Sequence, residues 1–274
     1  MTEPNSPAPI GIFDSGVGGL SVLRAIREQL PCHPLLYLAD QAHVPYGPRS
    51  KEEVRAFAES ITRFLLSRGA RVIVVACNAA SAASLYHLRE TFADMPFVGM
   101  EPAVKPAAAT THSGVVGVLA TPVTFQGELY ASVVERFAKN VTILQDICPG
   151  LVSQIEAGQL QSPETRAILE RALVPMMEQN VDTVVMGCTH YPFVIPLIRE
   201  IVGPGVDVID PAPAIARQVG KVLEARGVRV LCGSPASAVF FTTGDPYHLR
   251  KMLPTLLGES HDVQYVQWEY GILH

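Results

Sequence analysis

Several common functional signatures are missing from this sequence of 274 residues. No apolar run approaches the roughly 18 residues that a membrane-spanning helix needs, so we expect no membrane partner. The net charge is −5, which disfavours the broad basic face that a nucleic-acid partner requires. The eight histidines are scattered and form no metal-ligand cluster. We therefore expect no nucleic-acid partner and no metal site.

The cysteines also lack the patterns of a disulfide framework or a zinc site. They are odd in number and far apart, without any Cys-x-x-Cys pair: Cys32, Cys77, Cys148, Cys188 and Cys232. This arrangement predicts reduced thiols in a cytoplasmic protein. Residues 1–9 are Pro-rich and have no signal-peptide pattern, so we expect a disordered leader there. We interpret Cys32, Cys148 and Cys232 as packing or loop residues.

The composition favours a well-packed protein. Hydrophobic residues make up 48% of the chain and charged residues 17%, which allows a substantial core and disfavours disorder. The length suits one large domain or two of ordinary size. Short apolar runs alternate with helical patterns along the whole chain, so the fold class that we predict is α/β.

Two of the cysteines follow very similar apolar strands. Residues 72–76 lead into Cys77, and residues 183–186 lead through a glycine into Cys188. Such runs are typical of buried parallel strands, and ligands bind beside the carboxyl ends of these strands. A helix is predicted after each cysteine, and we expect its positive end to lower the pKa of the thiol. The pattern predicts a site with a thiol on each side of a ligand, although a buried cysteine can also be a small packing residue.

A short internal repeat extends this similarity. Residues 11–15 and residues 117–121 each form a strand that leads into a hydroxyl-bearing turn, at Ser15 and Thr121. The distance from the hydroxyl to the following cysteine is 62 residues in the first half and 67 in the second. Chance similarity is the alternative to a duplication. The repeat favours two pseudo-symmetric, doubly wound α/β domains with the active site in the cleft between them.

The chain is predicted to cross between these domains twice. We assign residues 1–99 and 211–274 to the first domain and residues 100–210 to the second. The last segment is too small for a third domain, so we expect it to return to the first.

The turn after the first strand is rich in glycine and begins with Asp14. It lacks the G-x-G-x-x-G spacing of a dinucleotide site, and no Lys-Ser/Thr pair follows Gly19. The acid would also repel a phosphate. We interpret the glycines as residues that let the backbone approach a small ligand. Asp14 could accept a hydrogen bond from a ligand or a neighbouring base, or it could cap the helix.

Polar residues accompany the second cysteine. Thr189 and His190 follow Cys188 directly, and histidine is the side chain best suited to exchange protons near neutral pH. The alternative is a histidine that packs on Tyr191. Glu156 follows an apolar helical segment, and its sequence context alone predicts a solvated surface charge.

Four motifs together resemble the glutamate racemases of the aspartate/glutamate racemase family. They are residues 13–21, Pro45-Tyr46-Gly47, Ala76-Cys77-Asn78 and Gly187-Cys188-Thr189-His190, and the resemblance extends from about Ile10 to Asp245. It implies a racemase that needs no cofactor and interconverts L- and D-glutamate. It also implies a supply of D-glutamate for peptidoglycan, and hence a role in cell-wall biogenesis and cell shape. Homodimers are usual among such relatives.

The resemblance implies a role for each site residue. In the family one cysteine thiolate removes the α-proton, and the thiol on the opposite face returns one. Asp14 would assist Cys77, while His190 and Glu156 would assist Cys188. Thirteen positions would contact the substrate: Asp14, Ser15, Pro45, Tyr46, Gly47, Cys77, Asn78, Ala79, Thr121, Thr124, Cys188, Thr189 and His190. Many relatives have threonine where this chain has Ala79, so only the backbone amide is available there.

Two alternatives stay open. The first is an aspartate racemase, or another two-cysteine racemase or decarboxylase of the same superfamily. Thr189-His190 after Cys188 favours glutamate, because aspartate racemases tend to have an acid there. The second is a two-lobed amino-acid-binding protein. The paired thiols and the lack of a signal-peptide pattern argue against it.

Overall fold

The structure is a computed structural model, and it describes residues 8–228 and 234–274. Most of the predicted leader and Cys232 lie outside these ranges. None of the helices within the described ranges is both long and apolar enough to cross a bilayer.

Strands and helices alternate through the first part of the chain, as the sequence predicts. The elements are β1 (Ile10–Asp14), α1 (Leu20–Gln29), β2 (Leu35–Ala39), α2 (Lys51–Ser67), β3 (Val72–Val75), α3 (Asn78–Thr91) and β4 (Phe97–Gly99). Every residue of β1, β2 and β3 is buried, as expected for the middle of a parallel sheet. The spacing of Ser50 and Glu53 predicts a capping box at the start of α2, and the structure has it, with each side chain accepting a hydrogen bond from the other residue's backbone N–H.

The middle of the chain continues this alternation. Its elements are α4 (Val104–Thr110), β5 (Val115–Ala120), α5 (Pro122–Gln126), α6 (Glu128–Phe137), β6 (Thr142–Asp146), α7 (Leu151–Glu156), α8 (Pro163–Glu178), β7 (Thr183–Gly187), α9 (Ile195–Val202) and β8 (Asp207–Ile209). A 3-10 turn, Tyr191–Val194, precedes α9. The sequence predicts one helix over residues 125–138. The structure has two, because Gly127 adopts an extended conformation between them.

The last part of the chain returns to the first sheet. Its elements are α10 (Ala212–Ala225), β9 (Ala238–Thr242), α11 (Pro246–Leu257), β10 (Val263–Tyr265), β11 (Trp268–Glu269) and β12 (Ile272–Leu273). β9 pairs with β2 in parallel. β11 and β12 form an antiparallel hairpin. The sequence does not predict it, because a strand of two residues is too short to show an alternation of apolar and polar residues.

The two large sheets share one strand order. The first has the order β10-β9-β2-β1-β3-β4 and the second has β6-β5-β7-β8. Within the first, β2-β1-β3-β4 matches the whole of the second sheet, with β1 and β5 in equivalent places. Every pairing in both sheets is parallel. The predicted α/β fold with two similar units is therefore confirmed, while the domain boundaries after residues 99 and 210 stay predictions.

The equivalent positions explain where the two thiols lie. Cys77 comes just after β3, which pairs with β1, and Cys188 comes just after β7, which pairs with β5. Ser15 and Thr121 follow β1 and β5. Because parallel strands end at the same edge of a sheet, each sheet brings one hydroxyl and one thiol to its carboxyl edge.

Candidate active site

Cys77 is the N-cap residue of α3, and its side chain is buried. Its Sγ accepts a hydrogen bond from the Ala80 amide (3.4 Å), and the thiol donates to Ser15 Oγ (3.9 Å). The prediction of a lowered pKa for this thiol is wrong, although the bond from the Ala80 amide at the helix end acts in the predicted direction. Burial raises the pKa of Cys77 well above its ordinary value, the nearby Asp14 carboxylate raises it further, and the bond from Ala80 offsets only part of this. Cys77 is therefore held as a protonated thiol.

Cys188 lies in a different setting. A 3-10 turn follows it rather than the predicted α-helix, and its main side-chain neighbour is a histidine. His190 Nδ1 lies 3.7 Å from Cys188 Sγ, and His190 Nε2 lies 2.6 Å from Glu156 Oε1. The three side chains therefore form a line from thiol through imidazole to carboxylate, and a proton can move along it.

The charges of this line stabilise one another. Burial alone would lower the pKa of His190, but the hydrogen bonds with Cys188 and Glu156 outweigh it and raise that pKa well above its ordinary value. Burial alone would raise the pKa of Glu156, but the bond with His190 holds it below its usual range. The arrangement therefore favours an imidazolium between two groups that can carry negative charge.

Glu156 is also bonded to the first half of the chain. Its Oε1 accepts from the Val17 amide (2.7 Å), and its Oε2 accepts from Gln41 Nε2 (3.2 Å). The side chain is only 14% exposed. The solvated surface charge that its sequence context predicts is therefore incorrect. Its partners are 139 and 115 residues away along the chain, and a local pattern cannot indicate them.

Asp14 is fully buried on the Cys77 side of the site. Its carboxylate accepts hydrogen bonds from the Gly16 amide (2.8 Å) and from the Thr189 hydroxyl (2.9 Å). Burial raises the pKa of Asp14, against the opposing effects of His190 and of the Gly16 bond. Asp14 does not cap α1, whose N-cap is Gly19 without a side-chain bond. It instead ties the turn after β1 to the turn after β7.

The glycines of the first turn make room for the protein's own side chains. A Cβ atom at Gly16 would lie 1.9 Å from Glu156 Oε1, and one at Gly18 would lie 2.5 Å from His190 Nδ1. Both distances are far below van der Waals contact. The interpretation that these glycines admit a ligand is therefore corrected, because the groups that approach them are Glu156 and His190.

Cys77 and Cys188 both line a small cavity of about 20 Å³. It is lined by twelve residues: Ser15, Pro45, Tyr46, Gly47, Cys77, Asn78, Ala79, Thr121, Val152, Cys188, Thr189 and His190. Eleven of these are among the thirteen positions expected to contact a substrate. Asp14 lies behind Thr189, and Thr124 lies behind Thr121 with 3.1 Å between their hydroxyl oxygens. Val152 was not predicted, because an apolar residue in a helix has no distinguishing signal.

Asn78 presents an unused amide to this cavity. It is 4% exposed, and neither its Oδ1 nor its Nδ2 has a hydrogen-bond partner within the part of the chain that the structure describes. A buried polar group without a partner costs about 1–3 kcal/mol. Such a group at the wall of a cavity points to a polar ligand that would satisfy it.

A larger cleft of about 480 Å³ adjoins the cavity. The two share Pro45, Gly47, Thr121 and Val152. Cys148, which is buried and free, lies in the wall of the larger cleft. The cleft and the cavity therefore lie on either side of the same four residues.

The remaining cysteine chemistry differs from expectation in one place. Cys32 is disulfide-bonded, so the reduced thiol predicted from the cysteine spacing is wrong at this position. Cys77, Cys148 and Cys188 are free. Within residues 8–228 and 234–274, no group of three or more His, Cys, Asp and Glu side chains is arranged to hold a metal ion.

Comparisons with known proteins agree with this geometry. The sequence matches the family model for Asp/Glu/hydantoin racemases over residues 10–219. It is 51% identical to glutamate racemase from Pseudomonas paraeruginosa over 256 residues, which cover 93% of this chain and 96% of that protein. A crystal structure of a glutamate racemase isoform from Bacillus anthracis is 30% identical and superimposes with a TM-score of 0.84, covering 98% of this chain and 100% of that one.

A third relative carries a ligand. Glutamate racemase from Francisella tularensis in complex with D-glutamate is 27% identical and has a TM-score of 0.82, with 96% of this chain and 98% of that one covered. The family resemblance drawn from the four motifs is thereby confirmed, and this chain belongs to the Asp/Glu/hydantoin racemase family.

Proposed function

We propose that this protein is a glutamate racemase that interconverts L- and D-glutamate without a cofactor, and that it supplies D-glutamate for peptidoglycan. One observation carries the proposal. Two thiols, Cys77 and Cys188, come from equivalent strand ends of two matching sheets and line the same cavity. Inversion of a carbon requires a proton to leave one face and another to arrive on the opposite face. A pair of opposed thiols supplies one proton-transfer group for each face.

In the mechanism that we propose, the two thiols begin in different protonation states. Cys77 is held as a thiol by burial and by Asp14, and is the proton donor. Cys188, beside the His190 imidazolium, is the thiolate that removes the α-proton. The electron pair of the broken C–H bond stays on the substrate as a carbanion, and Cys77 protonates it on the opposite face. Cys77 is then the thiolate and Cys188 the thiol, ready for the reverse reaction.

The α-proton of an amino acid is only weakly acidic, so the site must stabilise the carbanion. Two groups are suited to hold a substrate carboxylate, where negative charge increases during the reaction: the Asn78 amide, which has no partner among the described residues, and the backbone N–H of Ala79 in the first turn of α3. The hydroxyls of Ser15, Thr121 and Thr189 supply further hydrogen bonds. Exclusion of water strengthens each of these contacts.

The cavity must enlarge before glutamate can enter. About 10–15 Å³ of such space holds one water molecule, so a cavity of about 20 Å³ is too small for a five-carbon amino acid. We propose that the two halves separate to admit substrate and close again around it. The polar contacts that would break first are those of Thr189 with Asp14 and of Glu156 with Val17.

Glutamate is preferred over aspartate for two reasons. The relative from Pseudomonas paraeruginosa is named a glutamate racemase and is 51% identical over nearly its whole length. The residue after Cys188-Thr189 is also histidine rather than an acid. We further propose a cytoplasmic homodimer whose domains comprise residues 1–99 with 211–274, and residues 100–210.

Exchange of the α-proton with solvent tests the proposed function directly. The purified protein is incubated with L-glutamate in deuterated water, and both the α-deuterium content and the D-glutamate content are measured. We expect D-glutamate to form with deuterium at the α-carbon. Absence of α-deuterium would refute the racemase proposal. Faster exchange with aspartate than with glutamate would show that the substrate assignment is wrong.

A further inference from the structure

A second buried carboxylate, Asp40, lies beside the site and has no place in the proposed acid–base chemistry. It follows β2 directly, and its backbone amide donates to the Asp14 carbonyl (2.9 Å). Its side chain accepts hydrogen bonds from the hydroxyls of Tyr46 (2.6 Å) and Thr243 (2.8 Å). A carboxylate has about four lone-pair positions, and further donors occupy the rest.

Those further donors are ring nitrogens of Trp268 and His43. The indole N–H of Trp268 donates to Asp40 Oδ1 (2.8 Å), and His43 Nδ1 lies 2.9 Å from Oδ2. Asp40 is 0% exposed, so it cannot gain water in place of a lost partner. With its lone pairs filled by the protein, Asp40 has none left to bind a substrate. Its role must be exerted through the residues that it holds.

Tyr46 is the residue that connects Asp40 with the cavity. Tyr46 lines the cavity together with its neighbours Pro45 and Gly47, and its hydroxyl points to Asp40. Burial, reinforced by the Asp40 charge, raises the pKa of Tyr46 well above its ordinary value, so the hydroxyl remains a donor. The bond to Asp40 therefore fixes the position of three consecutive cavity residues.

Trp268 brings the C-terminal hairpin into this arrangement. The hairpin, residues 268–273, lies on α2, where the Leu273 amide donates to Ser60 Oγ (2.9 Å) and the Leu273 side chain is buried. The Trp268 ring packs against His43 and Phe57, with ring centroids 5.1 and 5.7 Å apart. The end of the chain thus reaches the carboxylate that holds Tyr46.

We propose that the C-terminal hairpin is a positioning element for the substrate cavity, in which Trp268 orients Asp40 and Asp40 holds the Pro45-Tyr46-Gly47 segment. Asp40 and Trp268 are positioning residues, since neither lines the cavity. The inference rests on the proposed function for the identity of the substrate. It has a useful corollary, because Trp268 is the single tryptophan of the chain. Its fluorescence should report on occupation of the cavity.

The kinetic test uses two conservative variants and two controls. Asp40→Asn removes the charge, and Trp268→Phe removes the indole N–H but keeps an aromatic ring. Tyr270→Phe alters a fully exposed residue of the same hairpin. Asp182→Asn alters another carboxylate with several donors, at the opposite end of its sheet from the cavity. KM and kcat for both enantiomers are measured together with thermal unfolding.

We expect KM to rise roughly tenfold in Asp40→Asn, because an NH2 group replaces an oxygen that accepts two hydrogen bonds and the charge is lost. We expect a roughly threefold rise in Trp268→Phe, which loses a single hydrogen bond to Asp40, while kcat changes less in both variants. The controls should keep the wild-type KM even where Asp182→Asn unfolds at a lower temperature. A KM in Asp40→Asn and Trp268→Phe that is no higher than in Asp182→Asn would overturn the positioning role. Wild-type racemisation measured in the same assay reports separately on the proposed function.

The spectroscopic test titrates the wild-type protein with D-glutamate and follows Trp268 emission. We expect a saturable change in the wild type and its loss in Tyr46→Phe, which removes the hydroxyl that links the cavity to Asp40. A wild-type emission that stays constant while glutamate is racemised would contradict the proposed coupling. An equal response in Tyr46→Phe would contradict the proposed route through Tyr46.

Discussion

The Glu156 carboxylate lies so close to the Gly16 backbone that a Cβ atom on Gly16 would come within 1.9 Å of Oε1. Gly16 follows β1 of the first sheet, whereas Glu156 ends α7, which lies between β6 and β7 of the second sheet along the chain. Their contact is reinforced by the bond from the neighbouring Val17 amide to the same oxygen. The Glu156 carboxylate, which is hydrogen-bonded to His190, therefore packs directly against the glycine-rich turn.

Gly16→Ala tests whether the close contact between Gly16 and Glu156 matters for catalysis. The added methyl group would displace Glu156, and overpacking of this kind costs about 1–3 kcal/mol of stability. Because His190 would lose its partner, we expect kcat for racemisation to fall at least roughly 100-fold, as for loss of a proton-transfer group. Gly205→Ala is the matched control, since a Cβ there meets no atom within 4 Å. Normal kinetics in Gly16→Ala would show that catalysis does not depend on the position of Glu156 against Gly16.

The two cysteines should be individually essential. Cys77→Ser and Cys188→Ser each replace a thiol by a far weaker acid, so we expect racemisation to fall by about a thousandfold or more in both variants. Chiral chromatography of the products measures this loss. Cys148→Ser, which alters a buried free cysteine in the wall of the adjoining cleft, should stay near wild type. Near-normal turnover in either of the first two variants would exclude the two-thiol mechanism.

Glu156→Gln should shift the pH dependence of the reaction. The Glu156 bond and charge help to raise the pKa of His190, so their loss lowers that pKa and the imidazolium deprotonates at lower pH. We expect the alkaline limb of the kcat/KM profile to move to lower pH by roughly one unit or more. Glu164→Gln, at the exposed start of α8, serves as the control. An unchanged alkaline limb in Glu156→Gln would show that deprotonation of His190 does not cause that limb.

Asn78→Leu should have opposite effects on stability and on substrate binding. The buried Asn78 amide has no partner in the described parts of the chain, so an apolar side chain of similar size should stabilise the protein by about 1 kcal/mol. Glutamate would lose its hydrogen bonds with this amide, and we expect KM to rise at least roughly tenfold. Thermal unfolding without ligand and steady-state kinetics measure the two effects. A lower unfolding temperature together with an unchanged KM would assign Asn78 a purely structural role.

The parts of the fold that were predictable depend on local patterns. The runs before Cys77 and Cys188 are continuous and apolar, and they became the buried strands β3 and β7. The capping box at Ser50 and the proline at the start of α8 also mark helix ends within a few residues. The short repeat at Ser15 and Thr121 anticipated the shared strand order, because equivalent strands keep equivalent ends.

The parts that were not predictable depend on distant contacts. The pKa of Cys77 is raised because the folded chain buries it beside Asp14, and neither effect can be read from the helix that follows it. The purpose of Gly16 and Gly18 depends on Glu156 and His190, which lie far along the chain. The hairpin at Trp268 is likewise held by Asp40 and Ser60 rather than by its own pattern.

Although the two sheets match, different side chains assist the two thiols. Asp14 lies near Cys77, and the His190–Glu156 pair lies near Cys188. Thermodynamics limits what this inequality can achieve. L- and D-glutamate have identical free energies in water, so the equilibrium constant of racemisation is unity and kcat/KM must be equal in the two directions. The different helpers can therefore make kcat differ between the two directions only if KM differs in the same proportion. They can make one enantiomer bind more tightly and turn over more slowly, but they cannot enrich it.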